Sequence, residues 1–235
     1  MSEMETISCT DIDPVTFYAR YVSTRKPVKF SDHFRGPEWN FHKWSNEYLK
    51  EKVGSARVKI ECRDNSTGRY GKGNETTLEF RDFLDHLEAG NETLYMTTQK
   101  LEYSAEGQPH ILSEPVKGLQ EDIPLRPPLL GHLIPQNINM WMGCTTQCSS
   151  SGLHHDFHDN IYIVLRGSKQ IHLFPPQEHP NMYLVGSVTK LHANGRFNYD
   201  NRLTRPDGSA VGATEALLAA QRLEEAAARL DGVVS

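Results

Sequence analysis

Cysteine is scarce in this chain. Its 235 residues hold four, at Cys9, Cys62, Cys144 and Cys148, too few and too scattered for the disulfide framework of a small secreted domain. A signal-peptide core is missing as well: Met1 to Thr10 is polar and acidic, so the chain is expected in a reducing compartment, cytoplasmic or nuclear. No hydrophobic run approaches the length of a membrane span. The glycosylation patterns at Asn65, Asn74 and Asn91 have no meaning without a secretory route. Charge of one sign is in small excess only. A net charge of -5 gives no general attraction to nucleic acid or anionic membrane, and neither is expected as a partner. No internal repeat is visible.

What remains is enough chain for one sizeable core. Residues 11–55 read as helical with short breaks, with Asp13-Pro14 as a cap followed by proline at the first helical position. Pro27 to Phe30 reads as a short strand, and Asn46 to Lys52 as a helix ended by Gly54. Arg57 to Cys62 alternates polar and apolar residues, the mark of a half-buried strand. Leu78 and Phe80 lead into a helix carrying Phe83, Leu84 and Leu87, and Thr93 to Thr97 is another strand. Six prolines between 103 and 136 exclude a long helix or central strand there. From 137 onward the pattern is β: 137–143, 153–158, 161–165 and 169–174, with Gly167-Ser168 as a hairpin turn. Closely spaced short strands suggest a sandwich or barrel. Beyond Pro206-Asp207-Gly208, Thr214 to Leu230 is alanine-rich and helical. Three regions follow: 1–129 α/β, 130–205 a β core, and 206–235 a C-terminal helix. Trp39, Trp44, Phe17 and Tyr21 are expected in the core.

The chemistry concentrates in Leu153-His154-His155-Asp156 and the run after it. Alternate residues of a strand share a face about 7 Å apart, so His154 and Asp156 can reach one metal ion while His155 points away. Two imidazoles and one carboxylate on one face of an octahedral ion make the non-heme Fe(II) arrangement, which leaves positions open for substrate and dioxygen. This motif supplies one imidazole and the carboxylate. His158 shares that face if the strand runs so far, although an exposed turn histidine is the simpler reading. His172 sits in an apolar strand and reads as a core histidine. A 2-oxo acid chelating the metal needs a cation for its far carboxylate. Lys169, thirteen residues after Asp156, can supply it as a point charge, with Asn160, Ser151 and Tyr95 as neutral hydrogen-bonding neighbours. Cys144 and Cys148 could form half a zinc site, but their spacing is unusual.

The segments Asn137-Ile138-Asn139-Met140-Trp141-Met142-Gly143, Leu153-His154-His155-Asp156 and Gly167-Ser168-Lys169 through Pro176 resemble the JmjC/cupin-like family of Fe(II)- and 2-oxoglutarate-dependent oxygenases. Within it they resemble the small hydroxylase branch that includes the asparaginyl hydroxylase of hypoxia-inducible factor. Phe17, Tyr21, Lys26-Pro27-Val28, Trp44, Tyr48-Leu49 and Leu94-Tyr95-Met96 add to the likeness, which covers roughly residues 10–200. The resemblance implies a double-stranded β-helix of jelly-roll type behind an N-terminal α/β region. It implies Fe(II) and 2-oxoglutarate as cofactors, and His154 and Asp156 as iron ligands. Lys169 then pairs with the cosubstrate tail, with Asn160, Ser151 and Tyr95 around it and Trp141 as an apolar wall. The implied reaction decarboxylates 2-oxoglutarate to succinate and hydroxylates a carbon of a protein or peptide substrate, or demethylates an N-methyl group.

One feature departs from the family. Its second histidine ligand lies late in the barrel, whereas here no histidine follows His192, which sits in a loop-like segment. The expectation is therefore a domain lacking its last strands. A non-catalytic relic or binding module is the first rival reading. A cupin of another activity, an isomerase or storage fold, is the second, and Lys169 with Phe174-Pro175-Pro176 argues against it. Substrate identity and oligomeric state are not legible.

Overall fold

The computed structural model describes residues 3–32, 38–63, 74–100, 102–147, 149–154, 156, 158–182, 187–191 and 197–199. The chain forms two compact units, residues 1–154 and residues 155–235.

The first unit begins with a short strand, β1 (Thr6–Ile7), which pairs in parallel with β2 (Lys29–Phe30). Between them lies α1 (Pro14–Phe17), whose start follows from Asp13-Pro14. The Asp13 carboxylate accepts from the amides of Val15 at 2.9 Å and Thr16 at 3.0 Å, satisfying donors that a first helical turn leaves open. The helix widens at once into a π-type turn over Tyr18–Val22. Phe17, Tyr21 and Leu129 bury a small cluster, with Ile7, Val22, Val28 and Phe30 packed against it. Glu5 ties this corner together: its carboxylate takes Arg20 at 3.0 Å, the Tyr21 hydroxyl at 2.9 Å and Lys26.

The main core lies farther along. Ser45 caps α2 (Asn46–Val53) by accepting from the Tyr48 amide, and Gly54 follows its last residue at a position that needs glycine, since a Cβ there would stand 2.2 Å from the Lys50 carbonyl oxygen. A four-stranded antiparallel sheet follows, in the order β4-β3-β5-β6. Its strands are β3 (Arg57–Cys62), β4 (Asn74–Glu79), β5 (Leu94–Met96) and β6 (Met142–Gly143). One face carries Val58, Ile60, Leu94 and Met96. It packs on α2 and on α3 (Phe80–Glu88), whose Phe80, Phe83 and Leu84 recur at helical spacing and are fully buried. The alternation of 57–62 and the apolar stripe of 80–87 thus do what their periods require. Trp39, Trp44, Phe17 and Tyr21 are buried, as expected.

Two polar side chains close this core. Gln99 acts as a substitute strand where β5 has ended. Its Oε1 accepts from the Lys59 amide at 2.7 Å, and its Nε2 donates to the Lys59 carbonyl at 2.9 Å. Asp122, 8% exposed, accepts from the Trp44 indole at 2.9 Å and from the Tyr48 hydroxyl at 2.8 Å. The proline-rich stretch 103–136 is irregular with 3-10 turns at Val116–Asp122 and Pro128–Leu130.

In the second unit, a 3-10 turn at Pro176–Asn181 precedes β7 (Val188–Leu191) and β8 (Phe197–Tyr199), an antiparallel pair. Here the structure corrects the sequence reading. Segments 161–165 and 169–174 form no strands, and of 137–143 only Met142–Gly143 does. A strand exists only through a neighbour that completes its ladder, and no described residue supplies one to 161–174. Leu165, Ile171, Leu173 and Phe174 are accordingly exposed, and His172, read as a core histidine, is exposed too. The alanine-rich stretch 214–230 and residues His155, Cys148 and His192 lie outside the described residues. No described helix is long and apolar enough to cross a membrane.

Candidate functional site

The boundary between the units falls inside the His-x-Asp motif. The first unit holds Tyr95, Trp141, Ser151 and His154; the second holds Asp156, Asn160 and Lys169.

In the first unit, strand register places Tyr95 of β5 directly opposite Glu61 of β3 on one side and Gly143 of β6 on the other. These residues share the sheet face that the apolar core does not use, because alternate side chains point to opposite faces. Gly143 is what lets the ring lie there: a Cβ on it would stand 2.7 Å from Tyr95 Cδ2. The Arg63 guanidinium lies 5.8 Å from the Tyr95 ring centroid. Trp141 precedes β6, is 41% exposed, and donates its indole N–H to Thr98 Oγ1 at 3.2 Å. The structure therefore brings Tyr95 and Trp141 to the same β5–β6 edge. Sequence reasoning missed the part of Gly143, although a glycine at a strand end is a known sign of close approach.

The loop after β6 is anchored by Glu92, which accepts from the Thr146 amide at 2.8 Å and from its hydroxyl at 2.5 Å. Those bonds hold the Glu92 carboxyl below its ordinary range. Cys144, half-buried, donates to the Asn91 carbonyl, and burial pushes its thiol up. A raised thiol is a poor metal ligand, since the thiolate is the ligating form.

His154 is exposed, and its Nδ1 lies 2.9 Å from the Gly152 carbonyl oxygen. A carbonyl oxygen only accepts, so Nδ1 carries the proton. In the neutral ring the Nε2 lone pair is then directed outward. Gly152 has φ +71°, a left-handed conformation that glycine adopts at no steric cost. Ligating imidazoles commonly have their other nitrogen fixed by a backbone carbonyl in this way. Ser151 beside it is exposed.

In the second unit Asp156, His158 and Asn160 are exposed. Lys169 Nζ lies 3.3 Å from the Tyr162 hydroxyl and 4.6 Å from the centroid of its ring. Tyr162 did not figure among the sequence candidates. Its signal was an aromatic hydroxyl seven residues before Lys169, with Gly167 between them.

A neutral imidazole and a carboxylate are donors that suit Fe(II). The motif holds one of each, so the donor chemistry fits a non-heme iron as far as it goes. Among the described residues, no three His, Cys, Asp or Glu side chains gather as a metal would require.

Comparison with known proteins finds similarity over most of the chain. The cupin-like domain profile matches residues 14–216. The JmjC domain-containing protein 4 of Schizosaccharomyces pombe is 34% identical over 201 residues, covering 81% of this chain and 42% of that protein. The JmjC domain-containing protein E of Dictyostelium discoideum is 27% identical, over 71% of this chain and 51% of its own. A human protein, the bifunctional peptidase and (3S)-lysyl hydroxylase JMJD7, is 26% identical, over 71% of this chain and 53% of its own. This chain thus spans about half the length of the curated relatives it matches.

Proposed function

This chain belongs to the cupin-like domain family, and on that premise we propose that it serves an Fe(II)- and 2-oxoglutarate-dependent oxygenase of JmjC type, built on a double-stranded β-helix, that hydroxylates a protein side chain. The relatives named for JmjC domains, and the one named a lysyl hydroxylase, support that class. Two further relatives are named lysine-specific demethylases, at 25% and 26% identity, so demethylation of an N-methyl group is the alternative outcome of the same oxidation, and hydroxylation is the reading we favour. The observation that carries the reading in this chain is the His154 ring, held through Nδ1 by the Gly152 carbonyl with Nε2 left to ligate.

In this reading His154 Nε2 and the Asp156 carboxylate hold Fe(II), and the Lys169 ammonium takes the far carboxylate of 2-oxoglutarate. Iron with 2-oxoglutarate would supply the oxidation of a carbon–hydrogen bond by dioxygen, with succinate and carbon dioxide as the other products. The chain's own residues bind and orient. Tyr95, Asn160 and Ser151 offer hydroxyl and amide groups to the cosubstrate, and Trp141 gives it an apolar wall. Lys169 also discriminates: a single ammonium favours a 2-oxo diacid over a 2-oxo monoacid, because charge-assisted hydrogen bonds are the strong ones.

A second reading, a binding module without catalysis, is favoured by the absence, among the described residues, of a gathered group of three metal-ligating side chains. Anaerobic titration with Fe(II) and 2-oxoglutarate separates the two. The oxygenase reading expects a visible charge-transfer band that disappears in Asp156→Ala. A folded protein that never develops the band would overturn it and leave the binding module.

A further inference from the structure

Lysine reaches its partners on a flexible four-carbon stem, so a lysine that must meet one carboxylate gains from being held in place beforehand. Lys169 is held. Its Nζ donates to the Tyr162 hydroxyl at 3.3 Å and lies 4.6 Å from the ring centroid, within the range where a cation is attracted to an aromatic face. Gly167, with φ +75°, lets the chain reverse between the two residues. An ammonium has three N–H groups; one on the Tyr162 oxygen leaves two. Among the described residues no ion pair takes them up.

We propose that Tyr162 is the positioning residue for Lys169, fixing its ammonium so that the two remaining N–H groups meet the far carboxylate of a 2-oxo diacid. The inference rests on the assignment of Lys169 made above and adds a residue that acts through it. The two contacts have separate sources. The hydroxyl sets where one N–H points, and the ring restricts where the stem can lie. Phenylalanine would keep the second and lose the first; leucine would lose both.

The test has two arms. In the first, the lysines are reductively methylated with carbon-13 and the Lys169 signal is assigned by its loss in Lys169→Arg. Ring stacking displaces that signal upfield in the unsubstituted protein, and Tyr162→Leu returns it to the position of the other exposed lysines. An undisplaced signal overturns the contact, whatever the protein binds. In the second arm, anaerobic affinities with Fe(II) are measured for 2-oxoglutarate and for 2-oxopentanoate, which lacks the far carboxylate. Tyr162→Leu is expected to weaken the diacid about tenfold and Tyr162→Phe about threefold, leaving the monoacid within about twofold. Equal weakening of both acids would mean a merely structural tyrosine and overturn the proposal alone. A protein that prefers the diacid and keeps that preference in Tyr162→Leu would also overturn it alone. A protein with no preference between the two acids would overturn the Lys169 assignment, and this inference with it.

Discussion

The ring of Tyr95 lies against the backbone of β6 at Gly143, where a Cβ would stand 2.7 Å from its Cδ2. No real side chain is tolerated at that distance without movement, so the position of a candidate cosubstrate residue depends on the absence of a side chain across the strand pair.

Gly143→Ala is therefore expected to displace the Tyr95 ring and to destabilise the protein by about 1–3 kcal/mol, the usual cost of overpacking. Denaturant unfolding gives the second quantity and near-ultraviolet circular dichroism the first. An alanine variant as stable as the parent with an unchanged aromatic spectrum would show that the ring has room to yield.

Asp122 serves two donors at once, the Trp44 indole and the Tyr48 hydroxyl. Asp122→Ala leaves both without that acceptor in a mostly buried place and is expected to cost about 2–4 kcal/mol. Asp122→Asn keeps an acceptor oxygen and should cost less. Equal losses in the two variants would mean that the negative charge, and not the hydrogen bonds, matters there.

Gln99 completes the ladder beside Lys59 with its side-chain amide. In Gln99→Ala the Lys59 amide should exchange its hydrogen about tenfold faster than in the parent, because local opening no longer breaks that bond. An unchanged rate would show that another group, or water, replaces the side chain.

The Glu5 carboxyl is held below its ordinary value of 4.5, first by the hydrogen bond from Lys26 and then by that from Tyr21. A depressed folded-state value means that the unfolded chain takes up the proton first as pH falls. The stabilisation is present above the unfolded value and fades as pH drops through the folded one. Glu5→Gln should then melt below the parent at pH 7, with the gap narrowing as pH falls through and below about 4.5. A gap independent of pH would assign the effect to lost packing.

If the Lys169 assignment holds, Lys169→Met should weaken 2-oxoglutarate by about tenfold or more while leaving Fe(II) affinity unchanged. Calorimetry of each ligand in turn reads both. Loss of metal affinity alongside would indicate a disturbed fold.

Much of the first unit was legible in the sequence. The alternation of Arg57 to Cys62 and the apolar stripe of Phe80, Phe83 and Leu84 are periodic signals, and periodicity reports which side of an element faces the core. The second unit was read less well. Ile161 to Leu165 and Lys169 to Phe174 carry good strand residues, yet form no strands among the described residues, because propensity for β structure is mostly the chance to pack and pair with a neighbour. Tyr162 was missed for a related reason: its importance lies in facing Lys169, and nothing in its own composition marks it.

By itself, the sequence determined what depends on near neighbours: the Asp13 cap before Pro14 and the buried stripe of α3. Only the tertiary structure decided which distant residues meet. Trp44 and Asp122 stand 78 residues apart in the chain and 2.9 Å apart in space. Tyr95 rests on Gly143, and Gln99 takes the place of a strand. The physical reason is the same throughout. Caps, turns and helical faces are set by contacts within a few residues, whereas strand pairing and the satisfaction of buried polar groups require partners that the fold must bring from far along the chain.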